Sequence, residues 1–285
     1  MELRPPVDAQ KVPAPARHQR VDGAACIHFG RDGLTHLYQR APARMLFPEV
    51  EPGEPIQAVA ITTSGGLTGG DRLLTEIDVD LGAAATITTQ AAERLYRVLA
   101  EDEAIRIETR IRVGEGAWGE WLAQEAILFD GTRARRSLDA EVAPTGRLLA
   151  VESLVFGRSA MGETVRRGSI HDVWRIRRGG RLVWIDALHL EGDVAAAMAE
   201  PFGFGAALSH GTILYVGQDA ADHLDRVRAL IGDGPGGATS FDGLLIVRLL
   251  NEDPAALRAT MMRLVAALRA AAGGYAASLP RPWYC

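Results

Sequence analysis

The glycine-rich segment at residues 61–72, ITTSGGLTGGDR, is the first candidate for a binding loop in this sequence. Four glycines fall within six positions of it: Gly65, Gly66, Gly69 and Gly70. A phosphate-binding loop needs Lys followed by Ser or Thr after its last glycine, whereas Asp71 and Arg72 follow here. The dinucleotide pattern Gly-x-Gly-x-x-Gly does not fit these glycines in any register. We therefore predict no nucleotide site, and a tight connection between two strands is the simplest interpretation.

Carboxylates are the second set of side chains whose chemistry suits a site. The candidates are Asp71, Glu125, Asp130, Glu152 and Glu163. Glu125 and Asp130 bracket the apolar residues 126–129, an arrangement that would suit the acid and base of a glycan-cleaving or other hydrolytic enzyme. Two exposed side chains at the ends of a strand would give the same pattern, because charged groups are rarely buried unless paired. The sequence leaves both interpretations open.

Other catalytic and metal-binding patterns are missing. Ser64 lies in Ser-Gly-Gly, which is not the Gly-x-Ser-x-Gly turn of a hydrolase nucleophile. No two of the seven histidines have the close spacing of a metal-ligand motif. Cys26 and Cys285 build no disulfide framework, which favours a reducing compartment. These absences favour a non-enzymatic protein without a stably bound cofactor.

Five sequence blocks, in order along the chain, resemble the urease accessory protein family UreD, called UreH in some species. The blocks are residues 62–71, 88–97, 121–131, 156–163 and 279–283. They include the motif positions Gly65, Gly66, Gly69, Gly70, Asp71, Gln90, Trp121, Gln124 and Glu125. The third block departs from the family pattern at Ala123, where proline is more usual. Coincidence does not explain five ordered blocks, and the chain is identified as a member of this family.

The resemblance implies a chaperone for urease maturation. Such a protein is expected to act with UreF and UreG on apo-urease, with UreG supplying the GTP hydrolysis for nickel insertion, and to dimerise through the accessory complex. An internal tunnel for nickel is proposed for the family, so the expected lining of a transient nickel passage is Asp71, Glu125, Asp130, Glu152 and Glu163. A pure scaffold without any passage is the alternative.

Composition restricts the class of protein further. The 285 residues carry 31 basic and 36 acidic side chains, and the net charge of −5 argues against nucleic acid or an acidic membrane surface as a partner. No apolar run approaches the roughly 20 residues of a membrane helix. Residues 1–20 contain four prolines and no signal-peptide core. We predict a flexible leader at residues 1–20, a single UreD-like domain at residues 21–285 and a cytoplasmic location.

The elements that must position these residues are mostly strands. Alternating apolar and polar residues predict strands at 73–81 and 105–113, each with one wet face. Further strands are expected at residues 85–91, 173–176, 182–190, 211–217 and 244–250, with a hairpin turn at Gly179-Gly180. No repeat of fixed length is visible. The resemblance, and not the periodicity, implies stacked or β-helical sheets.

Helices are predicted only in the last quarter of the chain. Asp219 is expected to cap one that ends near Ile231. Asp253-Pro254 has the cap and first-turn proline of a longer helix, which Gly273 can end. The predicted fold class is therefore mainly β, with two α-helices near the C-terminus.

Two features indicate partner surfaces. Arginines cluster at residues 133–136 and again at 166–181, either as a solvated strand face or as an interface that pairs with carboxylates. Arg281 and Trp283 lie in an aromatic C-terminal segment that is either packed on the body or presented to a partner. The sequence does not decide between these alternatives.

Overall fold

The structure, a computed structural model, describes residues 20–158, 161–200 and 203–285. The leader predicted at residues 1–20 lies outside the described residues except for Arg20. The strands are β1 (Asp22–Gly30), β2 (Gly33–Arg40), β3 (Ala43–Leu46), β4 (Ile56–Thr62), β5 (Arg72–Val79), β6 (Ala84–Thr89), β7 (Glu93–Leu95), β8 (Ile105–Val113), β9 (Trp118–Leu122), β10 (Ala126–Leu128), β11 (Arg133–Val142), β12 (Arg147–Phe156), β13 (Arg167–Arg178), β14 (Arg181–Asp193), β15 (Ser209–Val216), β16 (Gly236–Phe241) and β17 (Leu244–Asn251). The helices are α1 (Val194–Ala199), α2 (Leu224–Ile231) and α3 (Pro254–Leu268).

These strands form two sheets. The first has seven strands in the order β14-β13-β11-β8-β5-β1-β2, and the second follows the path β16-β17-β15-β12-β9-β6-β4-β3, with β10 and β7 attached beside β12. From β4 to β13 the chain crosses repeatedly between the sheets, and the strands that become neighbours there are parallel. Antiparallel pairs close both edges of the seven-stranded sheet. The mainly β fold class with two helices near the C-terminus is confirmed, and α1 is an additional short helix.

Apolar layers cover both faces of the larger sheet. Ile27, Ile77 and Leu138 of the seven-stranded sheet and Leu148 and Leu214 of the other belong to one fully buried cluster. The opposite face of the larger sheet is covered by the apolar side of α3, whose buried residues are Leu257, Met261, Leu264, Val265 and Leu268. The helical spacing read from the sequence therefore identified a face that packs on a sheet.

The two predicted helix starts differ in detail. The Asp253 side chain accepts a hydrogen bond from the Ala255 amide at 2.9 Å, so α3 begins as the sequence indicates. Asp219 makes no such cap. A short 3₁₀ turn, Ala220–His223, intervenes, and the Asp219 carboxylate instead accepts from the Tyr215 hydroxyl at 2.6 Å. The tyrosine thus competes for the oxygen that would have capped the helix.

Charges alternate across the outer face of the seven-stranded sheet. Glu76, Arg110, Asp139 and Arg175 lie in register on β5, β8, β11 and β13. Arg110 pairs with Glu76 at 2.8 Å, and Arg175 approaches Asp139 at 3.5 Å. Arg136, from the first predicted arginine cluster, points instead to the interior and is buried. The arginine-rich segments therefore serve both the surface and the inside of the protein.

Candidate functional site

A cavity of about 230 Å³ lies between the two sheets and reaches the glycine-rich segment. Exposed residues at its rim include Gly65, Gln90 and Arg44. Its buried end is formed by Trp121, Thr109, Arg136 and Glu152. The cavity therefore connects the surface with a polar cluster inside an otherwise apolar core.

The rim requires glycine for two physical reasons. Gly66 has a φ of +136°, and a Cβ there would lie 2.7 Å from the Arg94 carbonyl oxygen and 2.5 Å from the Tyr96 ring. The Tyr96 hydroxyl donates to the Gly65 carbonyl at 2.7 Å, and the Leu67 amide donates to the backbone carbonyl of Arg94 at 2.8 Å. The first two blocks of the resemblance are thereby packed against each other at the cavity mouth.

Asp71 stabilises the glycine-rich segment through hydrogen bonds to backbone amides. Its carboxylate is buried and accepts hydrogen bonds from the Thr68 and Val21 amides, both at 2.7 Å. These bonds hold the glycine turn to the start of β1. Asp71 does not line the cavity.

Arg136 binds two carboxylates at the inner end of the cavity. Its guanidinium donates to Glu152 and to Asp172, both at 2.8 Å, and the Trp121 indole donates to Glu152 at 3.1 Å. Burial raises the pKa of Glu152, and the adjacent Arg136 opposes that rise. Arg136 Nε and Asp172 Oδ1 are buried and have no hydrogen-bond partner among the residues that the structure describes. The cluster therefore has polar atoms that remain free to bind a further polar group.

Glu93 stands on the cavity wall and faces the same space. It accepts a hydrogen bond from the Thr62 hydroxyl at 2.9 Å. Burial raises the pKa of Glu93, while the Thr62 hydroxyl and the charge of Arg136 act in the opposite direction. Glu93 and Glu152 offer carboxyl oxygens as metal ligands. Hard cations prefer such ligands, and transition-metal cations bind them only weakly.

His210, on β15, lies within electrostatic reach of Arg136. Burial lowers the pKa of His210 to about 4, and the charges of Arg248 and Arg136 add to this effect. Asp186, which forms an ion pair with Arg248, acts in the opposite direction. The imidazole is therefore neutral at physiological pH.

Of the five acids predicted to line a passage, Glu152 alone borders the cavity. Glu125 instead binds Arg258 at 2.8 Å. Asp130 accepts hydrogen bonds from the Arg166 and Arg167 amides, which hold its pKa below the ordinary value. Glu163 lies outside the cavity and pairs with Arg158 at 2.5 Å.

Glu125 and Asp130 are poorly suited to the hydrolase alternative. A catalytic acid needs a raised pKa, whereas the pKa of Asp130 is lowered by its two backbone donors. Glu125 is held by the guanidinium of Arg258. The two carboxylates therefore have structural roles: Asp130 holds the backbone at residues 166–167, and Glu125 holds α3 through Arg258.

Sequence reasoning missed Glu93, Arg136 as a buried group, Asp172 and His210. Glu93 lies inside the second block, so the resemblance was a usable signal for it. Arg136 and Asp172 occupy inward positions of regular strands, opposite each other in register. Strand alternation would have separated Arg136 from its outward neighbour Arg135, once the register of β11 was known.

The C-terminal segment is packed on the body. Trp283 is buried, and its indole lies within 3.2 Å of the Thr88 hydroxyl and the Leu122 carbonyl as a shared donor. Arg258 lies over the Trp283 ring and donates to its backbone carbonyl at 2.9 Å. Arg281 stays exposed, so it is the member of the predicted pair that a partner can reach.

Five apolar side chains are exposed on or just after β2 and β3, the edge strands of the two sheets. They are Leu34, Leu37, Leu46, Phe47 and Val50, each more than a third exposed. We call this set the β2–β3 patch. Apolar side chains of this kind mark an association surface where they form one continuous patch.

Two kinds of site are absent from the part of the chain that the structure describes. Within residues 20–158, 161–200 and 203–285, no group of three or more His, Cys, Asp or Glu side chains is arranged to hold a metal ion. In the same part of the chain, no helix has both the length and the apolar character needed to cross a membrane.

Comparison with known proteins agrees with the blocks found in the sequence. The model of the family described as UreD urease accessory protein matches residues 21–284. The urease accessory protein UreD of Methylobacterium sp. (strain 4-46) is 39% identical over 289 residues, covering 97% of this chain and 99% of the relative. The UreD protein of Rhizobium leguminosarum bv. trifolii is 40% identical over 274 residues, with 95% and 97% covered. That of Brucella suis is 41% identical over 272 residues, with 93% and 95% covered. The chain belongs to the UreD urease accessory protein family, which is named for an accessory role and not for catalysis.

Proposed function

We propose that this protein is a maturation chaperone for urease and that nickel ions pass through it on their way to the enzyme. The observation that carries the proposal is the cavity between the sheets, which leads from an exposed glycine rim past the half-buried carboxyl group of Glu93 to the buried carboxyl group of Glu152. A cavity lined with carboxyl oxygen donors offers a divalent cation a route that the surrounding apolar core denies it.

The donor chemistry suits transit better than storage. Nickel binds imidazole and thiolate in preference to carboxylate, so oxygen donors release it more readily. Arg136 also competes with any cation for Glu152, since it already binds that carboxylate at 2.8 Å. A nickel ion would therefore be transferred between weak sites, with Glu93 nearer the rim and Glu152 deeper.

Family membership supports a set of partners. We propose a complex with UreF and UreG docked on apo-urease. GTP hydrolysis is assigned to UreG, since the glycine-rich segment of this chain lacks the Lys-Ser or Lys-Thr of a phosphate loop and is held instead by Tyr96 and Asp71. The β2–β3 patch is a candidate docking surface, so the isolated chain should be poorly soluble. A dimer formed through the accessory complex and a cytoplasmic location belong to the same proposal.

The first experiment is to measure the nickel content and activity of urease that is co-produced with the other accessory proteins, with and without this chain. Nickel-poor, inactive urease only in the absence of the chain supports the maturation role. Equal nickel loading in both cases would exclude it.

The second experiment tests the passage with Glu93→Gln and Glu152→Gln. Both variants should lower urease nickel while the accessory complex still assembles. Glu93→Gln is the cleaner change because glutamine keeps an oxygen for the Thr62 hydroxyl. Glu108→Gln, on the exposed face of β8, is the matched control. Unchanged nickel content in both cavity variants would leave a scaffold without a passage.

A further inference from the structure

Both antiparallel edges of the seven-stranded sheet carry a pair of histidines in direct register. His28 of β1 lies opposite His36 of β2, and their ring centroids are 4.8 Å apart. His171 of β13 lies opposite His189 of β14, with ring centroids 5.3 Å apart. These pairs are not evident from the sequence, because their members lie 8 and 18 positions apart.

All four rings lie on the outer face of the sheet, away from the cavity. His28 stands between Ile27 and Phe29, which are fully buried in the core between the sheets. Strand alternation therefore directs His28 outward, and its side chain is 40% exposed. His171 follows the buried Ile170 in the same way, and His189 is more than half exposed.

A carboxylate accompanies each pair. His28 Nε2 lies 3.2 Å from Asp78 Oδ2, and His189 Nε2 lies 3.4 Å from Glu191 Oε2. Two adjacent ligands on a metal with bonds of about 2.1 Å are separated by about 3.0 Å in octahedral and about 3.4 Å in tetrahedral geometry. Each carboxylate is therefore close enough to its histidine for both to reach one ion once the side chains turn towards it.

We propose that each histidine pair is a surface binding site for a divalent transition-metal cation of the Zn²⁺, Ni²⁺ or Cu²⁺ class. Two imidazoles from adjacent strands supply the metal bonds, and water completes the coordination. Imidazole donors select these ions over Mg²⁺ and Ca²⁺, which require oxygen ligands.

The carboxylates Asp78 and Glu191 can add a third ligand to these sites. No three acidic, histidine or cysteine side chains already converge on one point in the described residues, so Asp78 or Glu191 joins the metal only after side-chain rotation. The Glu191 side chain is 72% exposed and can rotate freely, whereas Asp78 is 23% exposed and would have to leave Arg112, 3.4 Å away, to join the metal. The sites therefore exchange their ion with solvent, and they are independent of the passage between the sheets.

The test uses the full chain with His36→Asn and His189→Asn, singly and together. Titration with Ni²⁺ or Zn²⁺ should show one site lost, or weakened at least tenfold, in each single variant and two in the double variant. Asp225→Asn, which changes an exposed acid on α2, is the control and should leave binding unchanged. Excess Mg²⁺ should not compete.

A second measurement needs no variant. In the unaltered chain, substoichiometric Cu²⁺ should broaden the ring-proton NMR signals of His28, His36, His171 and His189, while those of His210 and His223, which lie away from the outer face, remain. Electron paramagnetic resonance should report nitrogen ligands. Unchanged stoichiometry in the double variant, or four unaffected ring signals, would overturn the proposal and leave the pairs as stacking contacts.

Discussion

Replacing Arg269 by alanine is expected to destabilise the protein more than any surface change. Arg269 follows α3, and its side chain is only 3% exposed. Its Nε donates to Glu120 at 2.8 Å, and another nitrogen donates to Glu54 at 2.7 Å. Glu120 is fully buried, so the arginine is the positive charge that compensates it.

The size of the effect follows from this burial. Removing one partner of a buried ion pair costs about 3 to 5 kcal/mol, because the other charge stays in the interior uncompensated. Glu120 keeps its hydrogen bonds from the Thr86 hydroxyl and the Trp118 indole, at 2.5 and 3.0 Å. These two bonds place the expected loss for Arg269→Ala at about 3 kcal/mol, the lower end of that range.

Urea unfolding followed by tryptophan fluorescence measures this loss. The double variant Arg269→Met with Glu120→Gln should recover more than half of it, because the fully buried charge of Glu120 is then removed together with its partner. Glu54, which also loses Arg269, keeps the Ala276 amide and contact with solvent. The matched control, Arg263→Ala on the exposed side of α3, should change the free energy of unfolding by less than about 0.5 kcal/mol. A loss below about 1 kcal/mol for Arg269→Ala, or a double variant no better than the single one, would refute the reasoning.

Three further outcomes are expected. Trp283→Ala should lower the free energy of unfolding by about 3 to 5 kcal/mol in urea titration, because it empties a buried indole site; a near-neutral result would mean that the C-terminal segment is not packed as described. Gly66→Ala should lower the melting temperature by several degrees, since a Cβ would press on the Arg94 carbonyl. Gly65→Ala, where no atom of the described residues lies within 4 Å of the added Cβ, is its control, and equal effects would contradict the steric argument. His210 has a pKa lowered from 6.5 to about 4, so it contributes stability above pH 6.5 that is lost as the pH falls towards 4, at most about 3 kcal/mol. His210→Gln should flatten the stability profile between these pH values, and an identical slope in both proteins would show that the imidazole is not held neutral.

Strands with one wet face were predictable because their alternation is local. β8 was expected at residues 105–113 and occupies Ile105–Val113. β9 was not expected, because all five residues of Trp118–Leu122 are buried and no alternation remains to detect. A strand buried on both faces has the composition of any apolar segment.

The stacked arrangement could not be predicted from periodicity. Arg72 lies opposite Arg106, and Arg106 lies opposite Arg135, so neighbouring turns of the chain differ in length. The first spacing is 34 residues and the second is 29. A search for a repeat of fixed length misses such a fold, which only the family resemblance indicated.

The candidate site was predictable only in part, for a related reason. Glu152 was identified as an acid of interest, but Arg136, which it shares with Asp172, and Asp172 itself both lie on the other sheet. Which acids meet depends on how the two sheets stack, and that information is not local to either strand. Asp130 and Glu125 were predicted as site residues because they flank an apolar strand. In the structure, Asp130 accepts hydrogen bonds from backbone amides, and Glu125 is paired with Arg258.

The position of Trp283 has a consequence for the order in which the protein folds. Its indole bonds to Thr88, 195 residues earlier in the chain. During synthesis, the face of the larger sheet that carries Leu149 and Ile213 emerges long before α3 and Trp283 exist to cover it. The nascent protein must therefore keep a bare apolar sheet face from self-association until translation reaches the last segment. A chain truncated just before α3 would therefore aggregate, even though it contains every strand of both sheets.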